Sequence, residues 1–287
     1  MFNLILVRYG EIALKSNYVR MQFENTLINN IRKGLKDIGL DYGVRRSFGR
    51  IFIDGYDKKI VGLLKKIFGI VSFSPCLKIH TDLDSIKKES IKIAKKNIKK
   101  SDTFAVECNR AGKHDFSSQD VERQVGSEIV RAIGSKVDLT KPEKIVGIDV
   151  RSRETYIFSE YFRGPGGVPL GTGGTVLCLI ENFNGVVASW MLMKRGCTIF
   201  PVFLKKPGIY KRTLGKWCIG QELKSFYLRK FSVKKVDEIA EYTNSIAIVT
   251  GQTIKEFKKI NTEITIFNPL VGLEKKDLKA LAVKIKA

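Results

Sequence analysis

The chain has 287 residues, 44% of them hydrophobic, and carries 51 Lys and Arg against 29 Asp and Glu, a net charge of +22. That length suits two or three domains, and that apolar content excludes global disorder. No apolar run is long enough to span a bilayer, and the positive surplus points to a polyanion such as RNA, with a plain lysine-rich composition as the alternative. The surplus is divided: residues 1–110 hold 22 basic and 11 acidic side chains, 111–170 hold nine of each, and 171–287 hold 20 and nine. A partner that spans both basic regions fits this division.

Residues 2–8 (FNLILVR) predict a strand. Arg8 and Glu11 follow at once and no small-residue cleavage site is present, so a signal peptide is not expected. Tyr18 to Leu40 predicts a long helix with Phe23, Leu27, Ile31 and Leu35 on one face and Gly39 as its stop. Residues 42–55 read as a hairpin turning near Phe48-Gly49, 58–70 as a short amphipathic helix, and 71–79 as a strand. Next come a helix over 83–100 with Ile86, Ile91, Ile93 and Ile98 inward, a strand over 102–110, and a helix from Ser117 to Ile133 capped by Ser117 or Ser118. A strand pair follows at 144–152 and 154–162. Residues 163–174, with six glycines and two prolines, form a linker-like tract, read as an ordered interdomain loop. Beyond it, strands near 175–180, 198–204, 245–250 and 264–267 alternate with helices, the pattern of a parallel sheet with crossover helices. The expected divisions are 1–74, 75–165 and 166–287.

Three stretches offer chemistry. In "RYGEIALKS", Arg8 and Lys15, with Arg20 beyond, surround a strand-to-helix turn, where they serve either as phosphate contacts or as solvated surface charge. In "CNRAGKHDFSSQDVERQVG", Arg110, Lys113 and His114 precede a helix N-terminus, so an anion there would meet cations and the helix dipole. Phe116 either stacks on a base or anchors the loop. The third stretch, 176–196, is strand, loop and helix, and its loop Glu181-Asn182-Phe183-Asn184-Gly185 is the candidate phosphate loop. Phosphate loops need small residues so that backbone N–H groups can approach; Glu181 and Phe183 oppose that in charge and size. The cysteines are Cys76, Cys108, Cys178, Cys197 and Cys218, with no CxxC pair and only two histidines in the chain. That spacing argues against a zinc site, any structural metal or a disulfide framework, and for a reducing cytoplasm. Cys178 and Cys197 read as buried core thiols.

Six motifs then occur in order: "RYGEIALKS", "RAGKHDFSSQDVERQVG", "FRGPGGVPLGTGGTVL", "VVASWMLMKRG", "IVTGQT" and "NPLVGLEKKDL". Together they resemble the tRNA 4-thiouridine synthetase (tRNA sulfurtransferase) family over nearly the whole chain. The resemblance implies an α/β multidomain fold: a ferredoxin-like domain (1–74), a THUMP domain (75–165) and a Rossmann-like parallel-sheet PP-loop ATP pyrophosphatase domain (166–287). It implies that the first two domains grip the acceptor region of tRNA, making Arg8, Lys15, Arg20, Arg45, Arg46, Arg50, Arg110, Lys113, His114, Phe116 and Arg123 the candidate tRNA contacts. It implies that the third uses Mg-ATP to adenylate uridine 8, with sulfur arriving from a cysteine persulfide. Relatives also imply a homodimer.

The sequence departs from the family where the chemistry would happen. The family's SGGxDS loop is replaced by Ile180-Glu181-Asn182-Phe183-Asn184-Gly185, on a strand one residue short. A carboxylate where pyrophosphate should lie is electrostatically adverse to the phosphates of ATP. By the same alignment Phe203 and Leu204 flank the adenine, Arg229 and Gly251 keep nucleotide contacts, and Ile260 replaces a glutamine. The sequence ends before the family's cysteine nucleophile. Glu181, Asn182, Asn184, Gly185, Phe203, Leu204, Arg229 and Gly251 are therefore the candidate ATP contacts, and no catalytic residue is assigned. The expected function is ATP-dependent sulfur transfer to tRNA with a sulfur-donor or catalytic partner; the alternative is a tRNA-binding homologue or subunit without thiolation.

Overall fold

Four consecutive buried residues, Leu4 to Val7, make the first element of the computed structural model an interior strand, β1 (Leu4–Tyr9). The structure describes residues 2–47 and 49–286. A 3₁₀ turn at Glu11–Leu14 leads into α1 (Asn17–Asp37), which buries Leu27, Ile31 and Leu35 on one face as their spacing demands. Gly39 adopts φ +76°, the left-handed stop that a glycine takes without strain. β2 (Val44–Ser47) and β3 (Arg50–Ile53) pair antiparallel. Phe48, half of the expected turn, lies outside the described residues. α2 (Lys58–Leu64) is shorter than the expected 58–70. Its last bonds tighten to i→i−3, from Lys66 N to Leu63 O and from Ile67 N to Leu64 O, and Gly69 at φ +96° cannot continue a helix.

There follow β4 (Ile70–His80), α3 (Leu83–Asn97), β5 (Thr103–Arg110), α4 (Ser118–Ile133), β6 (Lys136–Val137), β7 (Lys144–Val150), β8 (Glu154–Phe158) and β9 (Phe162–Arg163). The strand expected over 154–162 is thus two strands. Among the described residues the first sheet runs β2-β3-β1-β4-β8-β7-β5-β6, with β9 on β4. β5 is parallel to β6 and β7; β7–β8 and β4–β8 are antiparallel. Ile86 and Ile93 of α3 and Val121, Val125 and Ile129 of α4 share a core with Phe104, Val106, Val146 and Ile148, while Ile91 sits half-buried at its margin.

The remaining elements are β10 (Thr175–Ile180), α5 (Phe183–Lys194), β11 (Thr198–Phe203), α6 (Gly208–Gly215), β12 (Phe226–Tyr227), α7 (Val233–Tyr242), β13 (Ala247–Val249), β14 (Ile266–Phe267) and α8 (Lys275–Lys286). Their strands form an all-parallel sheet in the order β12-β11-β10-β13-β14. The order reverses at β10, which has β11 on one side and β13 on the other. In such sheets the crevice at the carboxyl ends beside the reversal is where ligands bind.

The chain divides into two compact units: Met1–Arg8, Tyr42–Val61 and Ser72–Arg163 form one, and Tyr9–Asp41, Gly62–Val71 and Gly164–Ala287 the other. The glycine-rich tract is ordered within the second unit. Gly166 N bonds Ile70 O, Val168 N bonds Lys194 O, and both Gly171 N and Gly173 N bond Gly196 O. Gly167 must be glycine, since its φ is +75° and a Cβ would lie 2.1 Å from Lys194 O. Phe68, Trp190 and Trp217 pack with centroids 5.3–5.5 Å apart in the core of this unit.

Candidate functional site

The junction of β10 and α5 differs from its sequence expectation. The loop is two residues, Glu181 and Asn182, not five, and Phe183, Asn184 and Gly185 form the first helical turn. Asn182 is the reason: as N-cap its Oδ1 accepts the Asn184 N–H at 2.9 Å, and Gly185 N donates to Asn182 O at 3.2 Å. Both amides are held by the protein itself. The glycines are fixed by packing. A Cβ on Gly185 would lie 2.8 Å from Leu179 O, and one on Gly251 would lie 2.3 Å from Gly185 N. The backbone after β13 is thus pressed directly on the start of α5.

A cavity of about 670 Å³ opens at this junction. Of the expected contacts, Glu181, Asn182, Gly185, Leu204 and Gly251 line it. Asn184, Phe203 and Arg229 do not: Phe203 is wholly buried, and Arg229 is exposed in the segment after β12. Strand direction explains Phe203, because the terminal residue of β11 points into the core while its successor, Leu204, faces the crevice. Sequence reasoning missed Lys205, Phe231, Lys258 and Lys259, which also line the cavity, as does Ile260. The signal that was available is the paired lysines, Lys205-Lys206 just past β11 and Lys258-Lys259. The segment bearing Lys258 is tied back by Lys258 N donating to Gln252 Oε1 at 3.0 Å.

All five thiols are unpaired, and burial pushes each pKa upward. Cys108 rises to about 11, and Cys178 and Cys218 to about 12, so none offers a thiolate at neutral pH. Among the described residues no group of three or more His, Cys, Asp or Glu could hold a metal ion.

The basic candidates fall in both compact units. Arg8 belongs to the first unit, and Lys15 and Arg20 to the second. Arg8 donates to Ser74 Oγ at 3.0 Å with its guanidinium 4.6 Å from the Phe158 ring centre, and burial lowers its pKa. Arg20 donates to Ala13 O at 2.6 Å, and Lys15 lies 6.0 Å from the Phe23 ring centre. Arg45 pairs with Asp54 at 3.2 Å, Arg46 is exposed on β2, and Arg50 is 3.7 Å from the buried Asp149.

Arg110, the last residue of β5, and Lys113 in the loop after it are exposed, with Arg110 Nη1 reaching Gly112 O at 3.4 Å. His114 stacks on Phe116 at 5.4 Å, and Phe116, half-buried, packs on the core as an anchor. Arg123 pairs with Asp120 at 2.5 Å on the exposed face of α4. The N-terminus of α4 is closed by a capping box: Asp120 N donates to Ser117 Oγ at 3.1 Å and Ser117 N to Asp120 Oδ2 at 2.9 Å.

Known proteins share this fold and sequence. Residues 4–74 match the family model for the ThiI ferredoxin-like domain and residues 80–160 that for the THUMP domain. The chain is 33% identical to a probable tRNA sulfurtransferase of Methanocaldococcus jannaschii, over 98% of this chain and 87% of the relative. It is 31% identical to a probable tRNA sulfurtransferase of Brevibacillus brevis, over 99% and 82%. The crystal structure of a 4-thiouridine synthetase–RNA complex with bound ATP superposes with a TM-score of 0.82 at 25% identity, over 99% of this chain and 85% of that one.

Proposed function

Since the chain belongs to the tRNA sulfurtransferase family, we propose that it binds tRNA and acts in ATP-dependent transfer of sulfur to a uridine of that tRNA. The observation that carries this reading is the cavity at the strand-order reversal, walled by the close contact of Gly251 with Gly185. A nucleoside fits there: Leu204, Phe231 and Ile260 give it an apolar wall, and Thr250 and Asn182 give it polar edges. The α5 terminus does not fit phosphates as a family amide cradle would, because Asn182 holds the Asn184 N–H and Glu181 stands beside it. Magnesium would enter with the triphosphate, since only Glu181 and Glu256 bring carboxylates to the wall.

The reaction needs activation because the carbonyl oxygen of uridine is a poor leaving group; adenylation turns it into AMP, which sulfur then displaces. Five thiols with raised pKa values support a sulfur donor supplied by a partner protein, and accord with a cytoplasmic setting. On the first unit, exposed Arg110 and Lys113 supply phosphate contacts that position the tRNA without reading its sequence.

Calorimetric titration with Mg-ATP, with and without bound tRNA, tests the reading when followed by a 4-thiouridine assay with an external sulfur donor. Saturable one-site binding and product formation are expected. Tight tRNA binding with no heat from ATP in either condition would overturn the thiolation half and leave a tRNA-binding protein.

A further inference from the structure

A polyanion in the cavity needs positive partners, and the usual source, the free amides of a helix N-terminus, is reduced here. Asn182 Oδ1 takes one N–H and Asn182 O another. The same wall instead carries three ammonium groups, Lys205 just past β11 and Lys258 and Lys259 past the 3₁₀ turn at Ile254–Glu256. Among the described residues none of the three forms an ion pair. The two carboxylates of the wall are Glu181 and Glu256, and Glu256 is bonded by the Thr253 hydroxyl at 3.0 Å. The lysine-bearing segment is positioned, since the Lys258 N–H to Gln252 bond folds it back over the residues that follow β13. Leu204, Phe231 and Ile260 provide apolar surface in the same cavity. Apolar wall and three lysines in no ion pair, outnumbering the two carboxylates of the wall, together fit one ligand chemistry, a heteroaromatic nucleoside bearing a polyphosphate.

We propose that Lys205, Lys258 and Lys259 bind the phosphates of the nucleotide, in place of the backbone amides of the α5 terminus. This rests on the nucleotide reading given above and changes how the site works. An amide cradle fixes phosphate oxygens in one geometry, whereas three mobile ammonium groups bind by charge. Binding through them falls as salt rises and depends on the number of phosphates more than on their arrangement.

The test is calorimetric titration of the full chain with ATP, AMP and adenosine at two salt concentrations, for the wild type, Lys258→Ala/Lys259→Ala, Lys205→Ala, Lys258→Arg/Lys259→Arg and Asn182→Ala. All the lysines are exposed, so the folded chain should persist, checked by its thermal midpoint. Loss of ATP affinity by roughly tenfold or more in the double alanine variant is expected, with adenosine affinity unchanged and the arginine variant retaining ATP. Asn182→Ala, which removes a polar edge of the cavity and frees the Asn184 N–H, should change ATP affinity less than the double alanine variant does. ATP binding that ignores the lysines, or that tracks Asn182→Ala alone, would overturn the proposal while leaving the nucleotide site standing. A wild type that binds neither ATP nor adenosine would overturn the nucleotide reading itself and this inference with it.

Discussion

Two junctions in this molecule are built alike, β5 into α4 and β10 into α5, and they handle charge differently. Each ends a parallel-paired strand and starts a helix at a polar cap, Ser117 in one and Asn182 in the other. Each helix terminus is closed by its own cap. Ahead of α4 lie exposed Arg110, at the end of β5, and Lys113 in the loop; ahead of α5 the loop carries Glu181, and the cations are Lys205 past β11 and Lys258 and Lys259 past the 3₁₀ turn. A closed terminus offers fewer free N–H groups, so in both places anion binding falls to side chains. The first junction holds its cations on one short local stretch. The second gathers them from distant sequence.

The comparison breaks most easily at Gly251. Gly251→Ala should cost about 3 kcal/mol by forcing the chain after β13 off the start of α5, read as a lower urea midpoint. An unchanged midpoint would mean that the close approach is absent in solution. At the other junction, Arg110→Glu with Lys113→Glu should weaken tRNA binding roughly tenfold and lower the salt slope by about two. Unaltered affinity would remove both from the interface. Ser117→Ala should cost about 1 kcal/mol through the lost capping box, and Asn182→Gly only a few tenths. Equal losses would show that the two caps are worth the same despite their different surroundings. Smallest, Glu181→Gly with Asn182→Gly should raise ATP affinity about threefold by removing an exposed like charge. No gain would mean that Glu181 does not face the phosphates.

These two junctions also show what the sequence makes legible. Around α4 the periodic apolar residues and the Ser117-to-Asp120 spacing suffice to place the helix start. The parallel sheet after residue 174 is equally readable, because its strands are continuous apolar runs separated by crossover lengths. Around α5, Phe183 reads as part of a loop, yet a cap chooses the helix start, and Asn182 puts it at Phe183. β6 and β12 have two residues each and no pattern of their own; pairing to β5 and β11 defines them. The cavity is half legible. Resemblance finds Glu181, Asn182, Gly185, Leu204 and Gly251, whereas Lys205, Lys258 and Lys259 converge only through the fold.

The interleaving of the two compact units has a consequence for biosynthesis. Asn30 of α1 is buried and donates to Leu170 O at 3.0 Å, 140 positions away, and Lys33 Nζ donates to Gly220 O at 3.1 Å, 187 positions away. On the ribosome α1 therefore emerges long before its polar partners exist, and the second unit cannot close until nearly the whole chain has been translated. Cutting the gene after residue 163 would separate α1 from the rest of its compact unit. It would remove the Leu170 partner of Asn30 and bare the apolar face of α1 to the solvent.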